Sequence, residues 1–349
     1  MNKIFKRSLI SAVVALGSTG AMAADHEGVV GVLTDYNVDL YGVAAISAFN
    51  QEDGNGYDYE NESRVGVRAG KAFNEDVYIF MQIESGYVGE DGTGATLGNR
   101  DTFIGMRGDW GQVRFGRMLT PMYEVVDWPY SNPGLGRVFD WGADTKSHYD
   151  RKGDIARYDS PDFDGFSFDV SVGRGDKDRK GSNHFGAAVH YTVAEAFTLH
   201  GGYEYNSNYE TDIDNYEGDI DTKAYLAGIE VPLPGGFKIS AAYKYNDGVY
   251  KVGDSDPLKT YNGVESEQEQ ISVVGDYWNG PWGFRLGYAA NGDSDLDNNV
   301  DVDDSDSVIA GQLMYSKNGF LPYLRIGQHD AGNLEDKKAF ARLGIEYNF

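Results

Sequence analysis

The last twelve residues, Lys338 to Phe349, read KAFARLGIEYNF, and their alternation constrains the fold more than any other feature. From Ala339 every odd position is apolar (Ala339, Ala341, Leu343, Ile345, Tyr347, Phe349), while Arg342, Gly344, Glu346 and Asn348 hold even ones. Period two marks a strand with one apolar and one wet face. The stretch ends on Phe349, an aromatic that suits a membrane interface better than the surface of a soluble domain. Such a strand asks for a sheet that is apolar outside and polar inside.

The first residues indicate where that sheet would live. Met1 to Ala23 carries Lys3, Lys6 and Arg7, an apolar stretch around Leu9 to Leu16, and Ala21-Met22-Ala23, the parts of a secretory signal cleaved before Ala24. A retained helix is disfavoured because the apolar stretch is short and is broken by Gly17 and Gly20. Removing Lys3, Lys6 and Arg7 takes the net charge from −25 to −28. No basic patch neutralises phosphates, so no nucleic-acid partner is expected. The chain has no cysteine, hence no disulfide or thiolate metal site, and no cofactor is expected. No later segment reaches the ~20 apolar residues of a spanning helix. If the chain crosses a membrane it does so as a closed barrel, the other structure that satisfies its backbone in lipid.

Alternating segments of about ten residues, the length of a tilted spanning strand, recur from Val38 to the end. Their apolar sets include Val65, Val67 and Ala69; Ile79, Met81 and Ile83; Phe166, Phe168, Val170 and Val172; Ile239, Ala241, Tyr243 and Tyr245; Trp282, Phe284, Leu286 and Tyr288. Tight connections fall at Asn74-Glu75, Gly108 to Gly111, Pro161 to Gly165, Ala194 to Ala196, Pro232 to Gly236, Asn279 to Pro281 and Asn318-Gly319. Seven turns join fourteen strands as hairpins, and a first and a last strand make sixteen. The expected fold is all-β, a 16-stranded antiparallel transmembrane β-barrel with both chain ends on the short-turn side. Of the prolines, only Pro322 falls inside a strand, where an irregularity is expected. Trp110, Trp278 and Trp282 sit beside short turns, as an interfacial girdle requires. Residues 1–23 are thus read as the signal, 24–37 as a disordered leader or a pore plug, and 38–349 as one barrel domain. A soluble sandwich or propeller fits the leader, the strand count and the terminal Phe less well.

A barrel of this size is too wide for its own side chains to fill. The longest connection, Met118 to Lys152, is rich in Gly, Pro, Asp and aromatics, which suits a third long loop folded into the pore. Its acids Glu124, Asp127, Asp140 and Asp144 are candidates for one side of a constriction. Strand parity places Arg64, Arg68, Arg114 and Arg157 inward, and Arg100 as well, out of phase with an outward Phe103. Arginines opposed to carboxylates set up a transverse field that orients dipolar solutes. Singly, each inward arginine is equally well a solvated lumen residue.

VDLYG at Val38 to Gly42, ESRVGVRAG at Glu62 to Gly70, NRDTFIGMRGDWGQVRFGR at Asn99 to Arg117, RYDSPDFDGFSFDVSVG at Arg157 to Gly173 and the closing IEYNF resemble the general bacterial porins of Gram-negative outer membranes. The resemblance spans essentially the whole mature chain. It implies a homotrimer in the outer membrane, in contact with lipid and lipopolysaccharide, that passes small hydrophilic solutes by diffusion. It carries a basic cluster onto Arg64, Arg100, Arg114, Arg157 and Arg68, and an assembly signal onto Phe349. The family's short acidic motif at the loop tip is absent; DWPYSNPGLGR stands at Asp127 to Arg137 instead. For the trimer, outward Gly42, Ala44 and Ala48 are small enough for close packing.

Trp128 and Trp141 lie on the long loop, each directly after an aspartate (Asp127, Asp140). An aromatic face beside a carboxylate is a platform for a sugar ring, which points to an oligosaccharide-selective, chitoporin-like channel; packing of the loop against the wall is the plainer role. Asp293, Asp295 and Asp297 brush against a calcium-loop pattern that lacks its glycine and final glutamate, so only weak divalent binding is expected. A lipid hydrolase needs a serine and a base on the lipid-facing wall, yet His190, His200 and His329 have lumen parity. A purely structural or adhesive barrel would conduct no ions.

Overall fold

The computed structural model describes residues 37–50, 56–86, 96–140, 149–176, 178–213, 216–251, 262–296, 303–331 and 337–349. The signal, nearly all of the 24–37 extension, Trp141, Asp144 and Asp297 lie outside them. One sheet holds the strands β1 (Asn37–Asn50), β2 (Tyr57–Asn61), β3 (Arg64–Ala72), β4 (Tyr78–Gly86), β5 (Thr102–Gly108), β6 (Gly111–Leu119), β7 (Arg151–Asp159), β8 (Phe166–Arg174) and β9 (Asn183–Val193). It continues through β10 (Phe197–Ile213), β11 (Tyr216–Leu233), β12 (Phe237–Lys251), β13 (Glu265–Asn279), β14 (Trp282–Asn291), β15 (Asp295–Leu296), β16 (Asp306–Tyr315), β17 (Phe320–Ala331) and β18 (Lys338–Asn348). The pairings are antiparallel, and β1 meets β18 from Val43↔Asn348 to Phe49↔Arg342, which closes the barrel.

Two of these segments are not spanning strands. β1 pairs β3 through its first half and β2 through its second, so β2 and β3 are one strand interrupted at Glu62 and Ser63. There Ser63 Oγ accepts from Ala45 N at 3.0 Å and Ser63 N donates to Asn61 Oδ1 at 3.0 Å, replacing lost ladder bonds. β15 is a two-residue piece beside Ser266 and Glu267. Sixteen spanning strands remain, the number the turns imply.

The pleat sorts side chains as the alternation requires. Along β13 and β14, Ile271, Val273, Phe284, Leu286 and Tyr288 are exposed on the outside, while Gln268, Gln270, Ser272 and Arg285 are buried within. An apolar surface this continuous is stable only in lipid. The seven short turns all lie at one rim, with Trp110 and Trp282 exposed there.

Three local expectations need correction. Phe103 faces inward, since Ile104 and Met106 are the exposed residues of β5 and the Arg114 guanidinium lies 5.3 Å from the Phe103 ring. Pro322 does not break its strand: the β17–β18 register runs through Pro322↔Ile345, and only the β16 ladder stops one residue earlier, at Tyr323. Pro232 lies in β11 rather than in the turn, one residue from its end. A further detail concerns Gly42, whose outward space is already filled: a Cβ there would meet the Phe349 ring at 2.5 Å.

Candidate pore lining and inner loop

The segment after β6 leaves the wall and is buried against the barrel's inner face. Thr120 starts a short helix, Pro121–Val125, by accepting from Tyr123 N at 3.3 Å, with proline at the first helical position where no donor is missed. A wider turn, Val126–Tyr130, follows; Trp128 within it is extended (φ −136°), the conformation that Pro129 imposes on the preceding residue. A second short helix, Gly136–Phe139, completes the described part.

Met122, Val126, Tyr130, Leu135, Val138 and Phe139 are fully buried, packed with inward residues of β9 to β16 such as Ala188, Ala224, Ala242, Ala289 and Ala310. The wall makes room by being small there. A Cβ at Gly228 would meet Tyr130 Oη at 2.2 Å, and one at Gly287 would meet Leu135 Cδ1 at 2.6 Å. These inward glycines and alanines were the available sign of where the loop rests, and parity alone did not single them out.

Two buried cations tie the loop down. Arg157, 3% exposed, donates to Glu124 Oε2 at 2.6 Å, to Asp159 Oδ1 at 2.6 Å and to the Leu119 carbonyl at 3.0 Å. Lys244, wholly buried on β12, donates to the Phe139 carbonyl and the Tyr149 hydroxyl, and its ammonium lies 5.0 and 4.9 Å from those two rings. Burial pushes the Asp140 carboxyl well above the usual carboxylate range, against the attraction of Lys244. Burial also raises Glu124, against the pull of Arg157. Lys244→Met takes the donor from the buried Phe139 carbonyl, at about 1–3 kcal/mol, while the Tyr149 hydroxyl keeps its bond to the Asp140 carbonyl. The expected outcome is a more mobile loop, seen as added flicker in open-channel current; a trace as quiet as the parent's would contradict it.

The anticipated residues therefore divide. Arg64 and Arg68 lie on β3, Arg114 on β6, and Arg100 just before β5 reaches Glu84 at 2.6 Å. Arg114 pairs with Asp159 at 2.7 Å. Arg68 donates to Gln82 at 2.9 Å and lies 3.9 Å from the Tyr41 ring centre. Arg157 is instead an anchor beneath the loop, and Glu124 grips it rather than standing across a gap from the arginines. Asp140 lies toward Lys244, at the other end of the loop. Asp127 neighbours Trp128, which stacks on the Arg285 guanidinium at 4.0 Å, with Arg285 held by Asp276 on β13. One face of that indole is thus occupied by the protein. Glu84, Asp159, Lys244, Arg285 and Asp276 were missed, although inward parity on their strands was readable.

Ser171, His184 and Glu204 also adjoin, with Ser171 Oγ 2.7 Å from His184 Nε2 and His184 Nδ1 3.3 Å from Glu204. All three are buried and lie on paired strands, where the backbone N–H groups belong to ladders and supply no oxyanion pocket. Asp293 accepts from Ser305 N and Asp295 lies in β15; no cluster able to hold a metal occurs among the described residues.

A family profile described as Gram-negative porin matches residues 11–319. This chain is a Gram-negative porin. The porin is 45% identical to a chitoporin of Vibrio furnissii over 100% of both chains. It is 26% identical to the major outer membrane protein P.IB of Neisseria meningitidis serogroup B, over 78% of this chain and 86% of that one. Among solved structures, OmpT of Vibrio cholerae in its trimer form superposes with a TM-score of 0.72 at 17% identity, covering 90% of this chain and 100% of that one. The porin is accordingly an outer-membrane channel.

Proposed function

We propose that the porin assembles as a homotrimer whose barrels are separate water-filled channels for small hydrophilic solutes, and that oligosaccharides of the chitin type are the solutes it selects. The observation that carries the second part is full-length identity: 45% to a chitoporin against 26% to a major outer membrane protein. The inner loop narrows the lumen, with Arg64, Arg68, Arg100 and Arg114 as its basic wall and Asp127, Asp140 and Asp144 as its acids, while Arg157 and Glu124 fasten the loop to the wall. Trp128, whose ring lies 4.0 Å from the Arg285 guanidinium and 5.7 Å from the Lys238 ammonium, is the proposed sugar contact, with Trp141 as its counterpart. The apolar outer surface meets lipid and lipopolysaccharide, and no catalysis is assigned.

Planar-bilayer recording tests this. Three equal conductance steps per insertion support the trimer. Neutral chitin oligosaccharides are expected to block the current in a length-dependent way, and Trp128→Ala to shorten the block by about tenfold, the loss of roughly 1.4 kcal/mol of stacking and burial. Indifference to every oligosaccharide sinks the sugar reading and leaves the general channel. Turnover of phospholipid by the purified protein would overturn the non-enzymatic assignment.

A further inference from the structure

Five inward rings of β17, β18, β1 and β4 are seated in the same way. Tyr41 lies over Gly66, Tyr78 over Gly70, Phe80 over Gly105, Tyr323 over Gly344 and Phe340 over Gly327, and a Cβ added to any of these glycines would strike the ring. Each glycine belongs to the neighbouring strand, directly opposite its ring for all but Gly70, which stands on the diagonal. With no side chain between them, a ring can lie down on the sheet. Its other face then turns to the lumen.

That second face carries a guanidinium each time. Arg68 lies 3.9 Å from the centre of the Tyr41 ring, and Arg107 lies 4.7 Å from Tyr78 and 5.6 Å from Phe80. Arg325 lies 5.6 Å from Tyr323, and Arg137 of the inner loop 5.3 Å from Phe340. Hydrogen bonds fix the layers: Arg68 Nε donates to Gln82 at 2.9 Å, Arg325 Nε to Gln312 at 2.8 Å, and the Tyr41 hydroxyl to Glu84 at 2.9 Å.

The stacks occupy the side that the loop leaves open. Its buried apolar residues sit on β9 to β16, with Phe340 at their edge. Phe340 lies near the long-loop end of β18, and Tyr78 begins β4 just after a short turn, so the series reaches from one rim toward the other. Arg68 and Arg107 are half-buried and keep part of their surface toward the lumen.

A guanidinium is planar and weakly hydrated, with donors around its edge and none on its face. Laid on a ring, it offers the lumen a flat face rimmed by N–H groups. A pyranose is the complement, with C–H groups on its faces and hydroxyl oxygens around its edge. An ammonium in the same place would carry the same charge and no face. We propose that these arginine-capped rings are the lane along which an oligosaccharide crosses the pore, and that the guanidinium faces rather than their charges make the contact. The lane rests on the oligosaccharide reading above and adds to Trp128 a series of contacts on the barrel wall.

Two double variants separate face from charge in planar-bilayer recording, with neutral chitin oligosaccharides as the probe. Arg68→Lys with Arg107→Lys keeps both charges and removes both planes; Arg68→Gln with Arg107→Gln removes both charges and keeps a planar amide at each position. The lysine pair is expected to shorten the dwell time of the sugar about fivefold, the size of one lost stack. The glutamine pair is expected to shorten it less while moving the reversal potential further toward cations. The opposite order of dwell times, or a lysine pair that holds the sugar as long as the parent does, overturns the proposal. Gly66→Ala changes no charge and lifts Tyr41 off the sheet, so it too should shorten the dwell time, and it decides the matter if the lysine pair does not insert. A parent blocked by sugar beside indifferent variants removes the lane alone, whereas a parent that no oligosaccharide blocks removes the sugar reading and the lane together.

Discussion

Arg157→Leu is expected to raise the single-channel conductance of this porin and to shift its reversal potential toward cations. The arginine is buried with three carboxylates around it: Glu124 and Asp159 bonded at 2.6 Å, and Asp169 at 3.8 Å. Removing one member of a buried ion pair leaves its partners desolvated and unmatched, which typically costs about 3–5 kcal/mol. The barrel does not absorb that cost, since the main-chain ladders of β7 with β6 and β8 do not depend on the side chain. It falls on the first turn of the inner loop, which Arg157 holds through Glu124 and through the Leu119 carbonyl. Water then reaches the carboxylates as the loop lifts, and the lumen gains negative charge. Glu124→Gln keeps an acceptor and loses only the charge, so its effect should be smaller in both measurements. Parental conductance and selectivity in Arg157→Leu would show that the loop is held by its apolar packing alone.

The contrast between wall and loop explains what could be read in advance. A strand with one greasy and one wet face declares its orientation residue by residue, so Val65, Met81, Phe284 and Leu343 located the outer surface, and the turns between them located one rim. β5 failed because both of its faces are apolar or small: Phe103 and Gly105 against Ile104 and Met106. An inward aromatic covered by Arg114 cannot be told from an outward one by hydropathy. The loop's anchors were hidden for another reason. Lys244 is one of several polar residues with lumen parity, and its meeting with Phe139 joins positions 105 apart in sequence. Parity says which way a side chain points and nothing about what will come to meet it. Glu124 was recognised as a pore acid, but its bond to Arg157 reassigns it from one side of a field to a fastening.

Deleting Phe349 is expected to cost the porin most of its assembled form, for a reason local to the β1–β18 closure. Gly42 N donates to the Phe349 carbonyl at 3.0 Å, and Phe349 N donates to the Gly42 carbonyl at 3.1 Å, the last hydrogen-bonded pair of the β1–β18 closure. Two such bonds contribute about 1–3 kcal/mol together, which corresponds to roughly a 5- to 150-fold shift in the closing equilibrium. The ring adds to this by lying over Gly42, where the absence of a side chain lets it approach the sheet. Three variants separate these contributions when folded barrel is quantified by heat-modifiable mobility. Deletion removes bonds and ring together and should be worst. Phe349→Ala keeps the backbone pair and should recover part of the yield. Gly42→Val leaves the terminal residue intact but displaces its ring, so a defect there marks the lock between the ends rather than recognition of the terminus. A Gly42→Val protein that assembles as well as the parent, beside a deletion that does not, would assign Phe349 to recognition alone.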